Sequence, residues 1–142
     1  MTKALSTLIK LHQQFLDEKR RELVFFEEAR EKQKQIITNS NRQIEMEKRV
    51  AEQSPDKSYT FFNFLEMEKK KQFEASKNIN ALNKEIEKVS ESISEAFTDL
   101  KKYEILKDIK DEEALKEEMK RLQINLDEIG AVSHQRKQDT NA

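Results

Sequence analysis

Ile79, Leu82, Ile86, Val89, Ile93, Ala96, Leu100 and Tyr103 follow one another at steps of 3, 4, 3, 4, 3, 4 and 3 residues. That alternation keeps apolar side chains on one narrow stripe of an α-helix, the seam of a coiled coil. A stripe so narrow cannot seat a helix on a broad globular core; it needs a partner helix. The pattern predicts a rod whose function is contact rather than chemistry.

The rest of the chain supports few turns. A single glycine, Gly130, and a single proline, Pro55, occur in 142 residues, and turns depend on both residue types. Charged residues make up 39% and hydrophobic residues 35%, with no Trp and no Cys, as fits a chain without a large core. Lys plus Arg number 27 against 28 for Asp plus Glu, so a net charge of −1 gives no broad field for nucleic acid or anionic lipid. The signs are interspersed, as on the solvated faces of a long helix. The regular apolar stripe argues against disorder. The lack of Cys fits a reducing compartment. Near the N-terminus Lys10 interrupts the apolar stretch and Asp17 and Glu18 follow it, which is not the pattern of a signal peptide. No stretch approaches the ~20 apolar residues that cross a bilayer. The expected location is cytoplasmic, with no direct membrane insertion.

Ser54-Pro55-Asp56-Lys57-Ser58 is the one strong break. Pro55 lacks an N–H donor and clashes with the preceding turn, so a helix ends before it. Ser54 can cap the next helix with Pro55 at its first position, or Ser58 can cap it a turn later. The spacing predicts helix one over about 3–53, a break at about 54–55, helix two over about 56–129 and a polar tail over 130–142. At ~1.5 Å per residue these helices measure roughly 75 and 110 Å.

Helix one has its own stripe. Ile9, Leu16, Leu23, Ile37, Ile44 and Ala51 form one column, interrupted by Arg30. Leu8, Phe15, Ala29, Ile36 and Val50 form its neighbour, interrupted by Glu22 and Gln43, with Leu5 and Phe26 on the other flank. A short break folds two such helices back on each other. The expected fold is all-α: a single domain of two long helices in an antiparallel coiled-coil hairpin, the second longer and overhanging. Pairing outward from the break places Ile44 near Met67, Leu23 near Lys88 and Val89, and Ile9 near Tyr103. The overhang carries Leu115, Met119, Leu122, Leu126 and Ile129. This stripe is out of register with the main seam, whose continuation would reach Lys107, Lys110, Ala114, Glu117 and Arg121. It faces another direction and has no partner helix in the chain. Such a face marks a binding surface, with homodimerisation or a frayed end as alternatives.

Catalytic patterns are missing. One glycine rules out a phosphate-binding or dinucleotide fingerprint. His12 and His134 have no acidic residue or second His at helical spacing, so no metal site is expected. Pairs such as Glu27-Glu28 and Glu112-Glu113, and the run Lys69-Lys70-Lys71, read as solvated charge. No cofactor is expected. The aromatic residues say more. Phe25 and Phe26 are neighbours, and neighbours on a helix point about 100° apart, so with Phe26 in the stripe Phe25 faces outward. Met67 and Phe73 fall outside the Leu65–Ile79 register. Either the seam is irregular between Glu66 and Asn78, or these side chains are exposed contact points. Near the break, Tyr59, Phe61, Phe62 and Phe64 can pack over Val50 and close the tip.

Three stretches together resemble a known family. Leu5-Ser-Thr-Leu-Ile-Lys-Leu-His12, followed by Leu16-Asp-Glu-Lys-Arg-Arg-Glu-Leu23, resembles the first helix of flagellar FliJ proteins. Ala96-Phe-Thr-Asp-Leu-Lys-Lys-Tyr-Glu-Ile-Leu-Lys107 resembles the family's second helix, and Leu126-Asp-Glu-Ile129 with His134-Gln-Arg136 resembles its C-terminal signature. The likeness covers nearly the whole chain and departs from the family pattern at Gly130. It implies a stalk-like component of the flagellar type III export apparatus, similar to the central stalk of rotary ATPases and peripherally associated with the inner membrane through that apparatus. The implied partners are the hexameric export ATPase, the cytoplasmic domain of the export gate, and escort chaperones. Carried onto this sequence, the ATPase-binding end is Leu5, Ile9 and His12 with Leu115, Met119, Leu122, Leu126 and Ile129. Phe25, Met67 and Phe73 are the candidates for gate or chaperone contact. The competing readings are a structural homo-oligomer and a holdase-type chaperone. A prefoldin-like holdase needs β-hairpins between its helices, for which Ser54–Ser58 leaves no room.

Overall fold

The computed structural model describes residues 2–141. The elements are a helix α1 over Thr2–Gln53, a 3-10 turn over Pro55–Lys57 and a helix α2 over Ser58–Asn141. The protein is all-α, and its two helices pack together. Met1 and Ala142, which the expected domain includes, lie outside the described residues.

Helix α1 has neither Gly nor Pro and ends at Gln53, where Pro55 removes the next donor. The last turn closes with Ser54 N–H on the Val50 carbonyl at 3.1 Å, and Ser54 itself is extended. Neither serine caps in the manner expected. Ser54 occupies the N-cap position ahead of Pro55 without a side-chain cap bond, and the Ser58 hydroxyl donates back to the Pro55 carbonyl at 2.8 Å. Thr60 Oγ1 donates to the Lys57 carbonyl in the same way, at 3.0 Å.

Helix α2 runs past Ile129, where the sequence suggested an end, and takes in the expected polar tail as far as Asn141. Gly130 keeps negative φ, and a glycine inside a helix lowers stability by only about 0.5–1 kcal/mol relative to Ala. Ala131 and the run 135–138 beyond it are good helix formers, and the Gln138 amide meets the His134 ring at 3.2 Å one turn back.

The chain forms two compact units. Gln14–Phe97 makes one. Its α2 stripe continues without a skip from Ile79 back to Phe61: Phe61, Leu65, Glu68, Gln72 and Ala75 are all buried or half-buried, at steps of 4, 3, 4 and 3. The seam is therefore regular between Glu66 and Asn78, and polar residues fill it there. On α1, Leu16, Leu23, Arg30, Ile37 and Ile44 hold the matching positions, with Arg30 a member of the stripe rather than a gap. Phe15 and Val50, from the neighbouring column, are exposed. So is Met67, the residue expected opposite Ile44.

The apolar seam is shallow. Leu16, Ala75, Val89 and Ala96 are the buried apolar residues of this unit, and no large side chain is completely enclosed. Each partly covered Leu, Ile or Phe therefore contributes less than the ~1.5–3 kcal/mol of full burial. Hydrogen bonds between the helices accompany it. Ser40, only 3% exposed, donates to Glu68 Oε2. The Gln72 amide donates to Ser40 Oγ at 3.0 Å and to Asn41 Oδ1 at 2.8 Å. Asn78 donates to Gln33 Oε1 at 3.2 Å, and Arg30 donates to Asn83 Oδ1 at 3.0 Å. Among the described residues, no buried side-chain N or O lacks a partner. Ion pairs such as Lys19–Glu22 join neighbours on one helix and contribute little.

Ser40→Ala removes the hydroxyl from an almost enclosed carboxylate. It is expected to destabilise this unit by about 1–3 kcal/mol. Ser40→Ala combined with Glu68→Leu and Gln72→Leu is expected to recover or exceed wild-type stability, because no buried polar group is then left unpaired and the exposed Asn41 is open to water. Thermal melts followed by circular dichroism read both results.

The second unit comprises α1 up to Gln13 with α2 from Thr98 onward. Leu100 is buried, and Leu5, Leu8, Ile9, His12, Tyr103, Lys107 and Lys110 are half-buried.

Candidate functional site

The surface that stands out lies in this second unit. From Asp111 to Thr140 every residue of α2 is exposed. Leu115, Met119, Leu122, Leu126 and Ile129 are between 57% and 65% exposed, too much for apolar side chains in a settled pairing seam. Their steps of 4, 3, 4 and 3 put them on one stripe. That stripe sits about 100° around the helix from the line of Tyr103, Lys107 and Lys110, because it is offset from it by one residue. The α1 residues of this unit follow the Tyr103 line: the His12 ring lies 5.0 Å from the Tyr103 ring, tilted by 39°.

The expected ATPase-binding residues thus divide into two sets. Leu5, Ile9 and His12 are half-buried, with His12 against Tyr103. The five α2 residues are open. Further exposed apolar residues on this stretch, Ile105, Leu106, Ile109, Ile124 and Val132, were not singled out from the sequence. They do not fall on one stripe, so periodicity cannot find them. Ile129, Val132, Ser133 and Arg136, with Glu128, border a shallow hollow of about 320 Å³.

Phe25, Met67 and Phe73 are exposed at 67%, 70% and 63%. Phe25 sets its ring edge-on to Phe26 at 5.7 Å, and the Lys77 ammonium lies 5.3 Å from the Phe73 ring centre. Met67 and Phe73 are six residues apart and point about 120° from each other, so they do not share a face. Near the turn, Phe61 and Phe64 line an open groove of about 450 Å³ with Val50, whereas Tyr59 and Phe62 face solvent.

No group of three or more His, Cys, Asp or Glu side chains is arranged to hold a metal ion among the described residues. No helix is long and apolar enough to cross a membrane among the same residues. Fold and surface together define an all-α, two-helix protein that presents an uncovered apolar helix face. Comparison with protein-family models, curated proteins and solved structures gives no match.

Proposed function

We propose that this chain is a non-enzymatic interaction module: an antiparallel coiled-coil hairpin whose longer second helix offers the Leu115–Ile129 face to a partner. The antiparallel sense is supported by the bonds of the Gln14–Phe97 unit. Residue numbers fall on α2 as they rise on α1, from Arg30 with Asn83, through Gln33 with Asn78, to Ser40 with Glu68. The observation that carries the function is the run of exposed apolar side chains from Leu115 to Ile129. A helix with such a face is the form that groove-binding and stalk-like helices take.

The resemblance to flagellar FliJ proteins supplies the partner. In this reading the face enters the hexameric export ATPase of a flagellar type III apparatus, promotes ring assembly and couples the ring to the export gate. Leu5, Ile9 and His12 brace the α2 segment at that end. The separate exposed side chains Phe25, Met67 and Phe73 serve the gate's cytoplasmic domain or escort chaperones. The protein then works in the cytoplasm, at the inner membrane only through the apparatus. The test is the ATPase rate and ring size of the export ATPase from the same genome, with and without this chain. Stimulation with a shift toward hexamers is the expected result, and unchanged rate and ring size would overturn the reading.

A further inference from the structure

The exposed stripe of α2 has a property that docking to a foreign partner does not require. Toward the N-terminal side its heptad steps continue through Glu112 to Asp108, and toward the C-terminal side through Ser133 to Arg136. One end is acidic, the other basic, and the five apolar residues lie between. All of these positions are exposed. Reversing the helix about Leu122 maps one column of the stripe onto itself and the other to within one residue: Leu115 falls opposite Ile129 and Asp108 opposite Arg136, while Met119 and Leu126 lie within one residue of the same level. Glu112 falls opposite Val132, which borders the same hollow as Ser133 and Arg136.

We infer that a second copy of this chain covers the stripe, in an antiparallel two-fold pair centred on Leu122. A two-fold interface uses the same patch from both copies, so it requires this kind of self-complementarity. The paired stretch spans ~43 Å of helix, about four heptads, long enough for coiled-coil pairing. A parallel pair would set Asp108 against Asp108, Glu112 against Glu112 and Arg136 against Arg136, three like-charge contacts. The antiparallel pair sets Asp108 against Arg136 at both ends and moves Glu112 away from its own copy. The stripe lies about 100° from the Tyr103 line, so the α1 residues of the same unit leave it open. The inference does not depend on which protein the stripe meets otherwise. If the proposed partner uses the same residues, the self-paired chain is its idle form, and the two occupations exclude each other.

The chain has no cysteine, so introduced ones report without background. The full-length protein is tested with single substitutions under mild oxidation. Leu122→Cys is expected to form a disulfide-linked dimer at least about tenfold faster than Leu115→Cys or Ile129→Cys alone, because only at the two-fold centre do identical positions meet within disulfide reach. An equimolar mixture of Leu115→Cys and Ile129→Cys is expected to cross-link to each other. Self-linking of Leu115→Cys as fast as that of Leu122→Cys would overturn the arrangement. So would sedimentation of the unmodified chain as a monomer up to about 100 µM, the range in which even weak pairing shows. Arg136→Asp is expected to weaken the dimer by about tenfold through its two symmetric pairs, and Asp108→Arg in the same chain to restore it. No second protein is present in these measurements, so their failure is separate from failure of the export-ATPase reading.

Discussion

A chain carrying Met119→Gln, Leu122→Gln and Leu126→Gln is expected to keep its helix content and lose binding to the export ATPase. The three side chains are 62%, 57% and 61% exposed, so no packing within the chain is given up. Glutamine is about as good a helix former as methionine or leucine. In the proposed complex the same side chains are anchors, and losing ~1.5–2 kcal/mol at each lowers affinity by roughly three to four orders of magnitude. Met119→Gln alone removes one of five contacts and is expected to be tolerated in the sense that binding weakens by about tenfold but persists. Far-UV circular dichroism checks the fold, and titration against the ring checks the binding. Unchanged binding by the triple variant would show that the ring docks elsewhere. The triple variant would also abolish self-pairing, whereas Arg136→Asp touches only the charged end of the stripe. Comparing the two separates partner docking from pairing between copies.

Leu16→Asp is expected to act oppositely, on stability first. Leu16 is 2% exposed, among the most enclosed side chains in the Gln14–Phe97 unit. The substitution removes an apolar side chain and places a carboxylate in the seam, where Lys19, one turn on, is already paired with Glu22. The expected loss is roughly 4 kcal/mol or more. A domain commonly holds only about 5–15 kcal/mol of stability, and a shallow two-helix seam sits toward the low end, so the unit should be largely unfolded at 37 °C. Loss of ellipticity at 222 nm and rapid proteolysis between Gln14 and Phe97 are the readouts. Full helicity in this variant would mean that the seam tolerates a charge at its most covered point.

The all-α class was legible because the two most reliable signals agreed: apolar steps of three and four, and one Gly and one Pro in the whole chain. The middle of the seam was not. Counting apolar residues finds Leu65 and then Ala75, and Glu68 and Gln72 between them look like solvated charge and amide. They hold seam positions because Ser40 and Asn41 face them, a relation between residues far apart in sequence. Arg30 was hidden for the same reason, its partner Asn83 being distant in the chain. The course of α2 beyond Ile129 was missed by treating Gly130 as a stop. A single glycine costs a helix only about 0.5–1 kcal/mol and does not by itself end it. Part of the candidate surface was legible: the Leu115–Ile129 stripe announced itself by falling out of register with the seam. Ile105, Ile124 and Val132 did not, because exposure depends on where the partner helix stops covering α2.

The polar group at Ser40, Glu68 and Gln72 bears on how the helices find each other. A pattern that recurs every seven residues is nearly the same after sliding one helix by seven, so apolar residues alone leave several alignments close in energy. Sliding by one heptad would set Ser40 opposite Phe61 and Leu65, or opposite Ala75 and Ile79, with no side chain on α2 to accept its proton. One hydroxyl, one carboxylate and one amide thus act as a vernier mark: they remove the ambiguity that a perfect repeat would create, and they make the correct alignment the only one in which all three are satisfied.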